Sequence, residues 1–205
     1  MIVDNSGSMA NSNKMGVAKE AAKSVVKTLG VADQFAVITF SGSATSLKGN
    51  LKRATSANIQ SMESAIDKIR ASGSETNYFA AFNLTFELLS KLSQSSDCNQ
   101  SENIVLFLTD GKPNDDESEL FQLIDNRTAS LPIILFTYGL GDTVDTNLLK
   151  EMSCRYGGIN FNINNANTQS KLTEVMREYY VFLSSGIKIE KPVWTEAYID
   201  AWIEE

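Results

Sequence analysis

Short apolar runs alternate with amphipathic segments along almost the whole chain, and this alternation narrows the possible folds more than any other feature. Phe35–Phe40, Ile104–Leu108, Ile133–Tyr138 and Ile159–Ile163 read as strands rich in β-branched and aromatic residues, with Met1–Val3 as a shortened first strand and Ala44–Leu47 as a short edge strand. Between them, apolar residues recur at helical spacing in Met15 to Leu29, closed by Gly30, and in Ala57–Ala71, Asn77–Leu92, Glu117–Asn126, Thr146–Arg155 and Thr168–Ser184. Strand–helix alternation makes the strands mostly parallel and puts helices on both faces. The expected fold is α/β: a Rossmann-like, doubly wound, mostly parallel six-stranded sheet flanked by helices. Ligands on such sheets bind beyond the carboxyl ends of the strands.

Composition removes several function classes. The net charge of -7 argues against a nucleic-acid footprint. Histidine is absent, which eliminates the Ser–His–Asp triad, the commonest general base and the usual zinc ligand. The two cysteines, Cys98 and Cys154, are too few for a zinc site; they can form one disulfide, pair with another chain or stay as thiols. No apolar run approaches the ~18 residues of a membrane span, and no signal peptide is read at the start. Asn83, Asn99 and Asn126 each open a glycosylation triplet, a weak pointer to secretion.

The chemistry concentrates in Asp4-Asn5-Ser6-Gly7-Ser8, where oxygen-bearing side chains alternate at the end of the first strand. Hard cations prefer oxygen ligands, and such a spacing lets three side chains converge on one point. A strand-end turn with helix capping is the plain alternative. Two later segments favour the cation: Thr76 in Gly73-Ser74-Glu75-Thr76-Asn77-Tyr78, at a helix entry, and Asp110 closing Phe107-Leu108-Thr109-Asp110-Gly111. Other candidates are set aside. Asp115, Asp116, Glu117 and Glu119 read as a solvated helix start without calcium-loop spacing; Gly139-Leu140-Gly141 lacks the third glycine of a dinucleotide fingerprint; Phe79, Phe82, Phe86 and Leu89 read as a core stripe.

Together the three segments resemble the metal-ion-dependent adhesion site of von Willebrand factor type A domains, in the family's order and over roughly residues 1–187. The resemblance implies that Ser6, Ser8 and Thr76 touch a divalent cation through hydroxyls. Asp4 and Asp110 supply charge directly or through water, and one position is left open for a partner's acidic side chain. Mg²⁺ is the first choice of ion, with Ca²⁺ or Mn²⁺ as alternatives. The Gly73–Thr76 segment departs from the family pattern, being one residue longer than the usual Gly-x-Thr.

Thr76–Leu89, Met152–Gly158 and the tail Lys191–Ala201 are similar to segments of voltage-gated calcium channel alpha-2/delta subunits and related Cache-containing proteins. That likeness implies a type A domain over 1–187, with its first strand truncated, and over 188–205 a linker and the start of a Cache-like domain. It further implies a non-enzymatic, cation-dependent protein-binding module on the extracellular face of a membrane, with the pore-forming channel subunit as partner and Cys154 paired to another part of the full-length protein. The alternative is a matrix or cell-surface adhesion domain with no channel role. In related domains the last helix, here Thr168–Ser184, shifts when the site takes a carboxylate.

Overall fold

The structure, a computed structural model, describes residues 1–93, 102–163 and 181. In chain order these form β1 (Ile2–Asp4), α1 (Lys14–Thr28), β2 (Gln34–Phe35), β3 (Ile38–Phe40), β4 (Ala44–Ser46), β5 (Lys52–Arg53), α2 (Ser56–Ile66), α3 (Tyr78–Ser93), β6 (Asn103–Thr109), α4 (Glu117–Thr128), β7 (Ile133–Leu140), α5 (Thr146–Arg155) and β8 (Asn160–Ile163). A six-stranded sheet has the order β4-β3-β1-β6-β7-β8, and only the β3–β4 pairing is antiparallel. The sequence-based α/β expectation therefore holds, including the edge strand at Ala44.

The two-residue period of a strand sorts the core into two layers. Val3, Leu106, Leu108, Phe136 and Tyr138 face the layer covered by α1 and α2. Ile2, Ile38, Phe40, Val105, Phe107 and Leu135 face the layer of α3, α4 and α5. Strands buried on both sides must be apolar throughout, which explains why Ile104–Leu108 shows no alternation in its sequence. Complete burial of side chains such as Phe107 and Leu108 contributes about 1.5–3 kcal/mol apiece. Phe107 is the hub of the second layer: Phe40 stacks on it at 5.4 Å, Tyr78 meets it edge-on at 4.7 Å and Phe82 lies at 5.2 Å.

Several boundaries differ from expectation for identifiable reasons. Phe35–Phe40 is not one strand: β2 pairs with β5 in a separate antiparallel ribbon, Phe35 opposite Lys52, while β3 joins the main sheet beside β1. β5 is exposed and basic, so no apolar pattern marked it. α2 begins at Ser56 behind Thr55, whose hydroxyl accepts the Asn58 N–H at 3.3 Å, and gives way after Ile66 to tighter turns in which Lys68 and Ile69 bond three residues back. Phe79 is 39% exposed and does not belong to the core stripe; Tyr78 takes the buried place above Phe82 and Phe86. Cys98, Asn99, the helix Thr168–Ser184 apart from residue 181, and the tail from 188 lie outside the described residues. Cys154 is exposed on α5, Asn126 is exposed on α4, and the half-buried Asn83 amide donates to Glu87 at 2.9 Å.

Candidate functional site

β1 and β6 are parallel neighbours, so their carboxyl ends deliver Asp4 and the Thr109–Asp110 pair to one edge of the sheet. Both aspartates are wholly buried. One Asp4 oxygen accepts the Ser6 backbone N–H at 2.8 Å; the other accepts the Thr109 hydroxyl at 2.6 Å. Ser6 and Ser8 place their hydroxyls 3.1 Å apart, and Ser8 donates to Asp110 Oδ1 at 2.7 Å. Ser6 is buried whereas Ser8 is exposed, so the cluster opens to solvent on the Ser8 side.

The Gly73–Thr76 loop is tied to this cluster by its backbone. Gly7 N–H donates to Gly73 O at 2.9 Å, and Ser72 N–H to Asn5 O at 2.7 Å. Ser74 and Glu75, between Gly73 and Thr76, are exposed. Thr76 itself is held between two bonds with Asn114: its N–H donates to Asn114 Oδ1 at 2.6 Å, and its carbonyl accepts the Asn114 N–H at 3.0 Å. Its hydroxyl faces Gly111, where an added Cβ would lie 3.3 Å away. Asp4, Ser6, Ser8 and Asp110 are thus linked by direct hydrogen bonds or through one another, and Thr76 lies against the residue that follows Asp110.

Sequence reasoning missed the residues that hold these groups in place. Thr109 sits between Asp4 and the Tyr78 phenol, which donates to the Thr109 hydroxyl at 3.2 Å and to Gly111 O at 2.8 Å. This connects the aromatic hub directly to the site floor. Thr143 donates to the Asp110 carbonyl at 2.8 Å. Lys14, on α1, donates to Asp110 Oδ2 at 2.8 Å, and its side chain is only 10% exposed. A threonine next to the Asp110 motif was the one available signal; nothing in the pattern around Lys14 marks it. The acidic run after Gly111 has a structural part as well: Asp115 accepts the Phe79 N–H at 2.9 Å, and Asp116 caps α4 through the N–H groups of Ser118 and Glu119.

Burial pushes the Asp4 carboxyl above the usual carboxylate range, opposed by its hydrogen bonds from Thr109 and Ser6, with the neighbouring Asp110 charge acting in the same upward sense. Two buried carboxylates this close repel one another, and a positive charge at the site relieves both burial and repulsion.

Residues 1–177 match the family model of the von Willebrand factor type A domain. Among curated proteins, inter alpha-trypsin inhibitor heavy chain 4 of Mus musculus is 30% identical over 195 residues, 93% of this chain and 20% of the relative. Voltage-dependent calcium channel subunit alpha-2/delta-3 of Mus musculus is 30% identical over 216 residues, 100% of this chain and 19% of the relative. The chain thus spans about a fifth of the length of these two relatives. Among solved structures, the von Willebrand factor type A protein from Catenulispora acidiphila superposes with a TM-score of 0.75 at 23% identity, covering 87% of this chain and 40% of that one. Proximal thread matrix protein 1 from the mussel byssus, with a zinc-occupied adhesion motif, superposes with a TM-score of 0.63 at 22% identity, covering 89% of this chain and 44% of that one. The match of the family model over most of the chain means that this protein belongs to the von Willebrand factor type A domain family.

Proposed function

We propose that this chain is a divalent-cation-dependent protein-binding module whose site is formed by Asp4, Ser6, Ser8, Thr76 and Asp110. The observation that carries the reading is the spacing of the oxygens. Ser6 Oγ to Ser8 Oγ is 3.1 Å and Ser8 Oγ to Asp110 Oδ1 is 2.7 Å. Oxygens sharing an octahedral Mg²⁺ stand about 2.9 Å apart, since each lies 2.0–2.1 Å from the ion. No group of three or more His, Cys, Asp or Glu side chains gathers among the described residues, so the hydroxyls are indispensable to such a site. The donor set is hard and oxygen-only, which suits Mg²⁺, with Ca²⁺ or Mn²⁺ as alternatives. The bound ion supplies an electrophilic centre for an acidic side chain of a partner protein. The zinc-occupied motif of the mussel byssus protein supports this use of the fold.

The chain has no histidine, and among the described residues no evident general base stands beside the acidic groups, so binding without catalysis is the function assigned to it. The likeness of this chain to part of alpha-2/delta-3 supports an auxiliary calcium channel subunit acting on the extracellular face of a membrane, with the pore-forming subunit as partner. Among the described residues no helix is long and apolar enough to cross a membrane. Equal identity to an inter alpha-trypsin inhibitor heavy chain favours a second reading, a surface or matrix binding domain with no channel role. For the domain layout we propose a type A domain over 1–187 followed over 188–205 by a linker and the start of a Cache-like domain.

Thermal unfolding with and without Mg²⁺ tests the site. A hundredfold excess over Kd stabilises the native state by about 2.7 kcal/mol. Ser8→Ala, on the exposed side, is expected to keep the fold and lose most of that shift. An identical shift in wild type and Ser8→Ala would place the ion elsewhere. EDTA-sensitive capture of the channel's pore-forming subunit separates the two partner readings.

A further inference from the structure

Lys14 occupies a place that its chemistry disfavours in three ways. It is the first residue of α1, at the positive end of the helix dipole. Its side chain is only 10% exposed. It is also reached through two successive non-glycine residues in the left-handed region, Ser12 at φ 51° and Asn13 at φ 57°. Asn13 in turn lies so close over Gly16 that any Cβ there would overlap its amide. The result of this costly approach is one contact: Nζ at 2.8 Å from Asp110 Oδ2.

We propose that Lys14 is the residue that sets the charge of the cation-loaded site and so makes it selective for an external carboxylate. The inference rests on the cation-binding reading above. Asp4 and Asp110 formally carry −2 and Lys14 +1, so the side chains alone total −1 and a divalent ion brings the site to +1. A single incoming carboxylate then neutralises a buried, low-dielectric centre, where charge imbalance is expensive. Without Lys14 the same aspartates would balance the ion completely, and an extra carboxylate would leave the site negative. Lys14 thereby weakens binding of the lone ion and strengthens binding of the acid to the ion-loaded site; by linkage each ligand raises the affinity for the other.

The test follows free Mn²⁺ by electron paramagnetic resonance in the full chain, with and without acetate as the carboxylate probe. Lys14→Met and Lys14→Gln should bind Mn²⁺ at least about tenfold more tightly than wild type. Acetate should tighten Mn²⁺ severalfold in wild type and in Lys14→Arg, and clearly less in both neutral variants. Equal Mn²⁺ affinity and equal acetate response in wild type and neutral variants overturns the role of Lys14 alone. Absence of Mn²⁺ binding by wild type overturns the cation reading and this inference with it. Should the neutral variants lose the near-ultraviolet dichroism of the native fold, the wild-type measurement still decides: no tightening by acetate refutes the inference.

Discussion

At the scale of single residues, the site depends on small groups, all buried except Ser8, that are held by specific partners. Thr109 and Asn114 bond to candidate ligands, Thr109 through its hydroxyl to the Asp4 carboxylate and Asn114 to the backbone of Thr76. The tightest steric demand lies elsewhere, at Gly158, where a Cβ would overlap the Leu135 carbonyl oxygen and crowd the Phe136 nitrogen. Backbone atoms of β7, a strand with a neighbour on each side, cannot step aside. Gly158→Ala should therefore destabilise the domain by about 3 kcal/mol or more. A urea midpoint within error of wild type would refute this. Asp4, Ser6 and Ser8 were legible in the sequence because they follow directly on a short apolar strand, although Ser6 and Ser8 lie past the end of β1. Lys14 was not, because only the kink at Ser12 and Asn13 turns it inward.

At the scale of elements, caps locate the helices more accurately than apolar periodicity does. Asp145 accepts the Leu148 N–H at 3.1 Å and begins α5 at Thr146, where the sequence also places it. Removing that acceptor leaves an unsatisfied N–H in the first turn. Asp145→Ala is expected to cost about 1 kcal/mol and to speed amide hydrogen exchange in the first turn of α5. Unchanged exchange there would show that the cap contributes nothing. Asp115 illustrates what periodicity cannot reveal: it stands one residue before the cap of α4, yet bonds the backbone of α3. Likewise the split of Phe35–Phe40 follows from two different pairing partners, and no local propensity encodes a partner.

At the scale of the whole molecule, α4 and α5 are clamped on the second core layer by Asp125, which accepts the Tyr156 hydroxyl at 2.9 Å and forms an ion pair with Arg155; the Arg155 guanidinium also lies 4.9 Å above the Phe121 ring. Burial, followed by the bond to Asp125, pushes the Tyr156 phenol well above its ordinary range. A folded-state value above the unfolded one means that stability is complete below the unfolded value of about pH 10 and is lost as pH rises beyond it. Wild type should thus lose stability more steeply above about pH 10 than Tyr156→Phe, which lacks that titration. Parallel slopes in urea titrations across this range would exclude the linkage.

The sequence alone determined the class of fold, the six-stranded sheet and the three segments that meet at its carboxyl edge, because strand and helix periods and oxygen-rich strand ends are local signals. Tertiary structure alone decided which apolar residues face which layer, that Phe79 stands outside the core, and that a lysine from α1 reaches the buried Asp110. Those outcomes depend on parallel neighbours distant in the chain, whose contacts form only once the sheet has closed around them.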